Sequence, residues 1–170
     1  MRLSEYTDYT LRVLMCCAAD PERRFTIAAL AENLGVSKNH LMKIVNDLAR
    51  QGLLETTRGR GGGLRLLKPA AEIRIGDVVR RSETDFRLVE CFDPASNTCT
   101  LTPGCGLKRV LGLALQAYLA VLDGSTLAEL AGTGPRVSAV RGPATRALRS
   151  AGKATAVVVG RPTARPRAAR

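Results

Sequence analysis

Residues 26–67 read TIAALAENLGVSKNHLMKIVNDLARQGLLETTRGRGGGLRLL, and the order of signals in that stretch decides the fold. Thr26 is a good helix N-cap, and Ile27, Leu30, Ala31 and Leu34 follow it at helical spacing until Gly35 breaks the run. Ser37 offers a second N-cap. After it, Leu41, Ile44, Val45 and Leu48 form one apolar stripe that stops near Gln51-Gly52. Two short strand-like runs, 53–57 and 64–67, enclose Arg58-Gly59-Arg60-Gly61-Gly62-Gly63. Gly61 to Gly63 are expected to supply the positive φ angles of a tight hairpin. Helix, turn, helix and glycine-tipped hairpin is the order of a winged helix-turn-helix, whose second helix enters a DNA major groove N-terminus first.

That docking nominates specific side chains. Ser37, Lys38, Asn39 and His40 open the reading helix, and Lys43 lies one turn later. Asn pairs bidentately with adenine, Lys reaches guanine O6 or N7, and a serine-capped helix start suits a phosphate. Arg58, Arg60 and Arg65 put cations on the hairpin, where they can follow phosphates or enter a minor groove. Any one of these residues alone reads equally as solvated surface; the expectation of duplex DNA rests on the combination. His40, the one histidine in the chain, is assigned to DNA by its place in the reading helix.

Working outward, residues 4–19 form a helix capped by Ser4, with Leu11, Leu14 and Met15 expected on its inner face and Asp20-Pro21 at its end. Pro69 closes the hairpin unit, and 75–82 is a short helix with Ile75, Val78 and Val79 on one side. Residues 91–106 are loop, punctuated by Pro94, Asn97, Pro103 and Gly104. A helix over 107–122 carries Val110, Leu111, Leu113, Ala114, Ala117, Tyr118, Val121 and Leu122 on more than one face. So much apolar surface calls for a second subunit, so a homodimer is expected.

Composition narrows the class. The net charge is +11, but nine of the 26 Lys/Arg and none of the 15 Asp/Glu fall in residues 131–170. The first 130 residues are near neutral, so the case for DNA comes from motifs rather than from overall charge. That last segment, rich in Ala, Arg, Gly, Pro and Thr, is expected to be a mostly disordered basic tail. No apolar run approaches a membrane span or a secretory leader, which predicts a cytoplasmic protein with no membrane partner. An enzyme is not expected. The chain has no Ser/His/Asp or Cys/His arrangement and no paired catalytic acids, and its glycine run sits in a β-turn rather than at a strand-to-helix junction.

Five cysteines in such a chain do not suggest structural disulfides. Cys16 and Cys17 lie in an apolar helical run and read as core. Cys91-x7-Cys99-x5-Cys105 puts three thiols in one flexible loop, where they can converge on a metal centre. Cysteine thiolates hold iron–sulfur clusters. Zinc accepts three cysteines but wants a fourth Cys or His for a closed site, which makes it the poorer fit. Residues alone leave open a thiol redox switch without a cluster.

Five stretches together carry a resemblance: Leu3-x3-Thr7-Asp8-Tyr9-x2-Arg12, Val36-Ser37-x3-Leu41-x-Lys43-Ile44, Arg58-Gly59-x-Gly61-Gly62, Ile75-Gly76-Asp77-Val78-Val79, and Cys91-x7-Cys99-x5-Cys105-Gly106. Over about residues 1–125 the chain resembles the iron–sulfur winged-helix transcription repressors, and most of all their nitric-oxide-sensing branch. The resemblance implies a mainly α fold and a homodimer with one cluster per subunit. It implies a [4Fe-4S] cluster on Cys91, Cys99 and Cys105, its remaining ligand an aspartate from the partner's first helix, which maps to Asp8. Arg12, four residues on, is spaced to pair with Asp8, although an ordinary surface ion pair has the same spacing. The [2Fe-2S] members of the family use a histidine just after the third cysteine. Here that region reads Gly106-Leu107-Lys108-Arg109, so [2Fe-2S] stays as the alternative. The expected function is a nitric-oxide-sensitive repressor of an operator. The expected domains are a winged unit at 1–83, a cluster loop at 84–106, a dimerisation helix at 107–130 and a tail at 131–170.

Overall fold

The computed structural model describes residues 2–59 and 61–133. Its elements are α1 (Glu5–Ala19), α2 (Ile27–Leu34), α3 (Lys38–Arg50), β1 (Leu54–Thr57), β2 (Gly63–Leu66), α4 (Ile75–Ser82), α5 (Gly106–Gly124) and α6 (Leu127–Thr133). The fold is mainly helical with one two-stranded antiparallel sheet, the winged helix-turn-helix that the sequence implies. Arg60 and the tail from 134 to 170 lie outside the described residues.

Local chemistry sets the helix starts. The hydroxyl oxygens of Ser4, Thr26 and Ser37 accept from the backbone N–H groups of Thr7 (3.1 Å), Ala29 (3.1 Å) and His40 (3.2 Å). Each cap satisfies an otherwise orphan donor and contributes about 1 kcal/mol. Gly35 ends α2 with φ 66°, and its N–H donates to the Ala31 carbonyl. That left-handed conformation makes the turn between α2 and α3 short, and glycine adopts it without strain.

The sheet pairs Leu54 with Leu66 and Glu55 with Arg65. Phe25 joins it from the other edge, exchanging backbone hydrogen bonds with Leu64 at 2.9 and 2.8 Å. The wing is thereby tied to the residue that precedes α2. Between the strands, Gly59 and Gly61 take positive φ, whereas Gly62 does not. Gly62 is required for a different reason: a Cβ there would run into the Thr57 carbonyl.

Leu14, Leu30, Leu41, Ile44, Leu48, Leu54, Leu64, Val79 and Leu127 are all fully buried. Truncating one of these leucines to Ala would cost about 2–5 kcal/mol, transfer and cavity terms together. On α1, Leu14 is buried and Leu11 and Met15 are half-buried against the core, while Thr7, Thr10, Val13, Cys16, Cys17 and Ala18 extend the buried side beyond expectation. Thr7 is satisfied within its own turn by the Ser4 hydroxyl at 3.0 Å, which lets a polar residue sit in the core.

The segment expected as one dimerisation unit at 107–130 comprises two helices. α5 stops at Gly124, and the chain then pairs briefly with the strand-like residues before α4. Ile75 N–H donates to Ser125 O at 3.0 Å and Leu127 N–H to Ile73 O at 2.9 Å. α6 packs on α1, with Leu127 wholly buried. At the other side of this junction, the Arg80 guanidinium grips the Asp123 carboxylate bidentately, one of the two bonds at 2.6 Å. Gly76 leaves the space for that carboxylate, since a Cβ there would collide with it.

Candidate nucleic-acid interface and metal centre

One side of α3 is spent on the core through Leu41, Ile44, Val45 and Leu48. The opposite side leaves Ser37, Lys38, Asn39, Met42, Lys43, Asn46 and Arg50 exposed. All but one of these are hydrogen-bonding side chains, and the first turn is the part that a groove-entering helix presents to base edges. Ser37, Lys38, Asn39 and Lys43 all lie on this exposed side, and Asn46 extends the same row.

His40 behaves differently from its neighbours. Its ring is half-buried, 5.6 Å edge-on from Tyr9 and 6.4 Å from Tyr6, so it packs α3 against α1. A second tie lies two turns further on, where the Tyr6 hydroxyl donates to the Asp47 carboxylate. Burial, reinforced by that hydrogen bond, pushes the Tyr6 hydroxyl up to about 12. Together the two contacts fix the angle at which α3 leaves the domain.

On the hairpin, Arg58 is exposed. Arg65 is not a free cation. Its Nε lies 2.7 Å from Glu55 Oε2, and Arg24 reaches the other oxygen at 3.3 Å and the Thr57 hydroxyl at 2.9 Å. The two guanidiniums, Arg65 first, hold the Glu55 carboxyl below its ordinary value. Arg24 had no signal in the sequence, because its partner lies 31 residues away across the sheet edge.

The three loop cysteines differ in setting. Cys91 is buried in a 3₁₀ turn (Glu90–Phe92), while Cys99 and Cys105 are half-buried. The Cys99 N–H donates to Asn97 Oδ1 at 3.1 Å, and the Thr102 hydroxyl donates to the Cys99 carbonyl at 2.9 Å. Cys105 caps α5, its Sγ accepting from the Lys108 N–H at 3.4 Å. Among the described residues, no three His, Cys, Asp or Glu side chains gather as a ligand set. Burial raises the thiols of Cys16 and Cys17, the latter to about 12, so they stay protonated in the core. On α1, Asp8 is held by Arg12 through two bonds of 2.8 and 3.0 Å. The Arg12 guanidinium also lies over the Tyr9 ring at 5.8 Å from its centroid.

α5 has no buried residue. Leu111, Leu115, Tyr118 and Leu122 lie on its half-buried side, towards its own subunit. The exposed apolar row is Leu107, Val110, Ala114, Ala117 and Val121, spaced alternately three and four apart, with Leu113 beside it. That is the spacing of a helix–helix seam, with small residues in the middle. No helix among the described residues is long and apolar enough to cross a membrane.

The sequence model of the Rrf2 family, described as iron-dependent transcriptional regulator, matches residues 3–133. The chain belongs to the Rrf2 family. Within it, the chain is 53% identical over 131 residues to the HTH-type transcriptional regulator NsrR of Bacillus subtilis, covering 76% of this chain and 90% of that protein. The NsrR of Geobacillus kaustophilus is 50% identical over 131 residues, 76% of this chain and 89% of its own length. Among solved Rrf2-type structures, the oxidized form of Staphylococcus aureus CymR superposes with a TM-score of 0.63 at 28% identity, covering 79% of this chain and 99% of CymR. T. potens IscR has the same fold, with a TM-score of 0.64 at 22% identity over 84% of this chain and 94% of that one. These Rrf2 relatives are regulators of transcription, not enzymes, and this chain is an NsrR-like regulator of the same family.

Proposed function

We propose that this Rrf2 protein is a cytoplasmic, nitric-oxide-sensitive repressor that binds operator DNA as a homodimer and carries an iron–sulfur cluster. The observation that carries the reading is its 53% identity to an NsrR regulator over 131 residues, nearly the whole of that relative. Asn39 and Lys43 would read bases, with Ser37, Lys38 and Arg58 on phosphates; Arg60 would add charge to the wing, where Arg65 is engaged by Glu55. His40 would contribute by holding the reading helix. α5 would form the dimer seam.

The donor set suits a [4Fe-4S] cluster. Three thiols lie within residues 91–105, Cys105 at the start of α5 with its Sγ on the Lys108 N–H, and Asp8 is a half-exposed carboxylate held by Arg12. Cys91, Cys99 and Cys105 would hold the cluster together with Asp8 of the partner subunit. Zinc is a weaker fit, because the ring of His40 is packed on Tyr9. When bound, the group would supply iron that takes a small diatomic ligand. Arg12 would orient the Asp8 carboxylate through its two bonds to it.

The deciding experiment is a gel-shift titration of anaerobic protein with a nitric-oxide donor, run beside its visible spectrum and its iron and sulfide content. A bleached spectrum with a hundredfold loss of operator affinity supports the reading; that loss needs about 2.7 kcal/mol of coupling. Bleaching without any loss of affinity refutes the sensing role. Protein without iron and sulfide refutes the cluster. Stoichiometry near two irons per subunit favours the [2Fe-2S] alternative.

A further inference from the structure

Met42 is 43% exposed on the face of α3 that is otherwise Lys38, Asn39, Lys43, Asn46 and Arg50. Residues 41, 44, 45 and 48 already fill the core side of that helix, so Met42 is not a displaced core residue. Nothing in the core needs it, and a polar residue there would be better solvated. Among the described residues of the winged unit, only Leu67 is a comparably exposed large apolar side chain, and it lies beyond β2.

The helix itself says what an apolar group at 42 would meet. Asn39, Met42 and Asn46 fall on one line at spacings of three and four, so Met42 sits between two amides suited to base edges. Helical side chains lean towards the N-terminus, which carries the Met42 thioether towards Asn39. One helical turn is about 5.4 Å against about 3.4 Å per base pair, so its target lies within about two base pairs of the one Asn39 reads. In the major groove a single base, thymine, presents a methyl group. The flexible, polarizable methionine side chain moulds well to such a small apolar knob.

We infer that Met42 is a specificity-determining residue that reads the 5-methyl group of one thymine in each half-site. The inference rests on α3 being the DNA-reading helix. Its test is designed so that the two can fail separately.

The full chain, purified without oxygen, is used to enrich duplexes from a randomised library. The enriched operator is then remade with deoxyuridine replacing one thymine at a time in one half-site. Deoxyuridine keeps every hydrogen bond and removes only the methyl. At one position the unaltered chain should bind about fourfold more weakly, equivalent to about 0.8 kcal/mol for one buried methyl-sized group. Met42→Gln should bind the thymine and deoxyuridine duplexes equally at that position, while Met42→Leu keeps most of the difference. Far-ultraviolet circular dichroism of the exposed-site variants should match the unaltered chain. A Met42→Gln protein with the same fourfold step overturns the inference, as does an operator with no methyl-sensitive thymine. If the chain enriches no sequence at all, the DNA-binding reading falls first and this one with it.

Discussion

Replacing Val110 with Glu tests whether α5 is a subunit seam. Val110 is 53% exposed in the single chain, between Leu107 (63%) and the small residues Ala114 and Ala117. Covering the exposed half of a valine is worth roughly 1 kcal/mol, which the variant forfeits. A carboxylate held unpaired in a dry seam adds several kcal/mol, and two-fold symmetry brings two copies to every dimer. The combined effect is at least about 4 kcal/mol, or a thousandfold in the dimer Kd. Sedimentation or light scattering across a concentration series reads this directly. The unaltered chain should be a dimer at micromolar concentration and the variant a folded monomer. Gln116→Glu, already polar and off the Leu107-to-Val121 line, serves as the control and should stay dimeric. A Val110→Glu protein with an unchanged dimer Kd refutes the reasoning, because a solvated face tolerates a charge at little cost.

Three further outcomes follow from the same structure. Asn39→Ala should weaken operator binding by about 1–3 kcal/mol and relax the preference at one base pair; equal loss on operator and random duplex would count against base reading. Gly76→Ala forces a methyl into the space of the Asp123 carboxylate, so it should lower stability by about 1–3 kcal/mol; a melting temperature equal to that of the unaltered chain refutes the clasp. Tyr6, whose folded value of about 12 exceeds the ordinary 10.0, favours the folded state fully below pH 10. That stability disappears as pH rises through the folded value, so Tyr6→Phe should flatten the alkaline loss between the two; identical profiles would show that burial and the Asp47 bond do not hold the Tyr6 proton in the folded state.

Elements that announce themselves locally were readable from sequence. Ser4, Thr26 and Ser37 cap where expected, Gly35 supplies the turn, and the four apolar residues of α3 form its buried stripe. Readings that depend on what comes near in space were not. On α1, Leu11, Leu14 and Met15 do lie against the core, but Thr7 and Thr10 look polar and gave no sign of being buried more deeply than Leu11 and Met15; tertiary contacts, not hydropathy, set the depth. α5 is apolar nearly all round, so its period cannot separate the side facing α4 from the free seam, and Leu111 and Leu115 carry no mark of lying inward. α6 is short, with small residues, and resembles the start of a tail until Leu127 is seen in the core. The charges of Arg24 and Arg65 could not be discounted without the β1–β2 register that delivers Glu55 to both. Three thiols in one loop could be counted in the sequence, but their separate hydrogen-bonded turns could not.

The Arg80–Asp123 clasp grips α5 close to its C-terminal end. From there the helix runs back 18 residues to Cys105, a reach of about 27 Å at 1.5 Å per residue. Mechanically, α5 is a lever clamped hardest near one end, with a cysteine at its far end and the apolar row along its exposed side. A tilt of about 5° at the fixed end would move the tip by about 2 Å over that reach, comparable to the helix shifts that separate the states of regulatory proteins. Stiffness at the root would therefore govern where that cysteine stands relative to α1–α4. Residues that never touch the loop, Gly76 and Arg80 among them, shape that root.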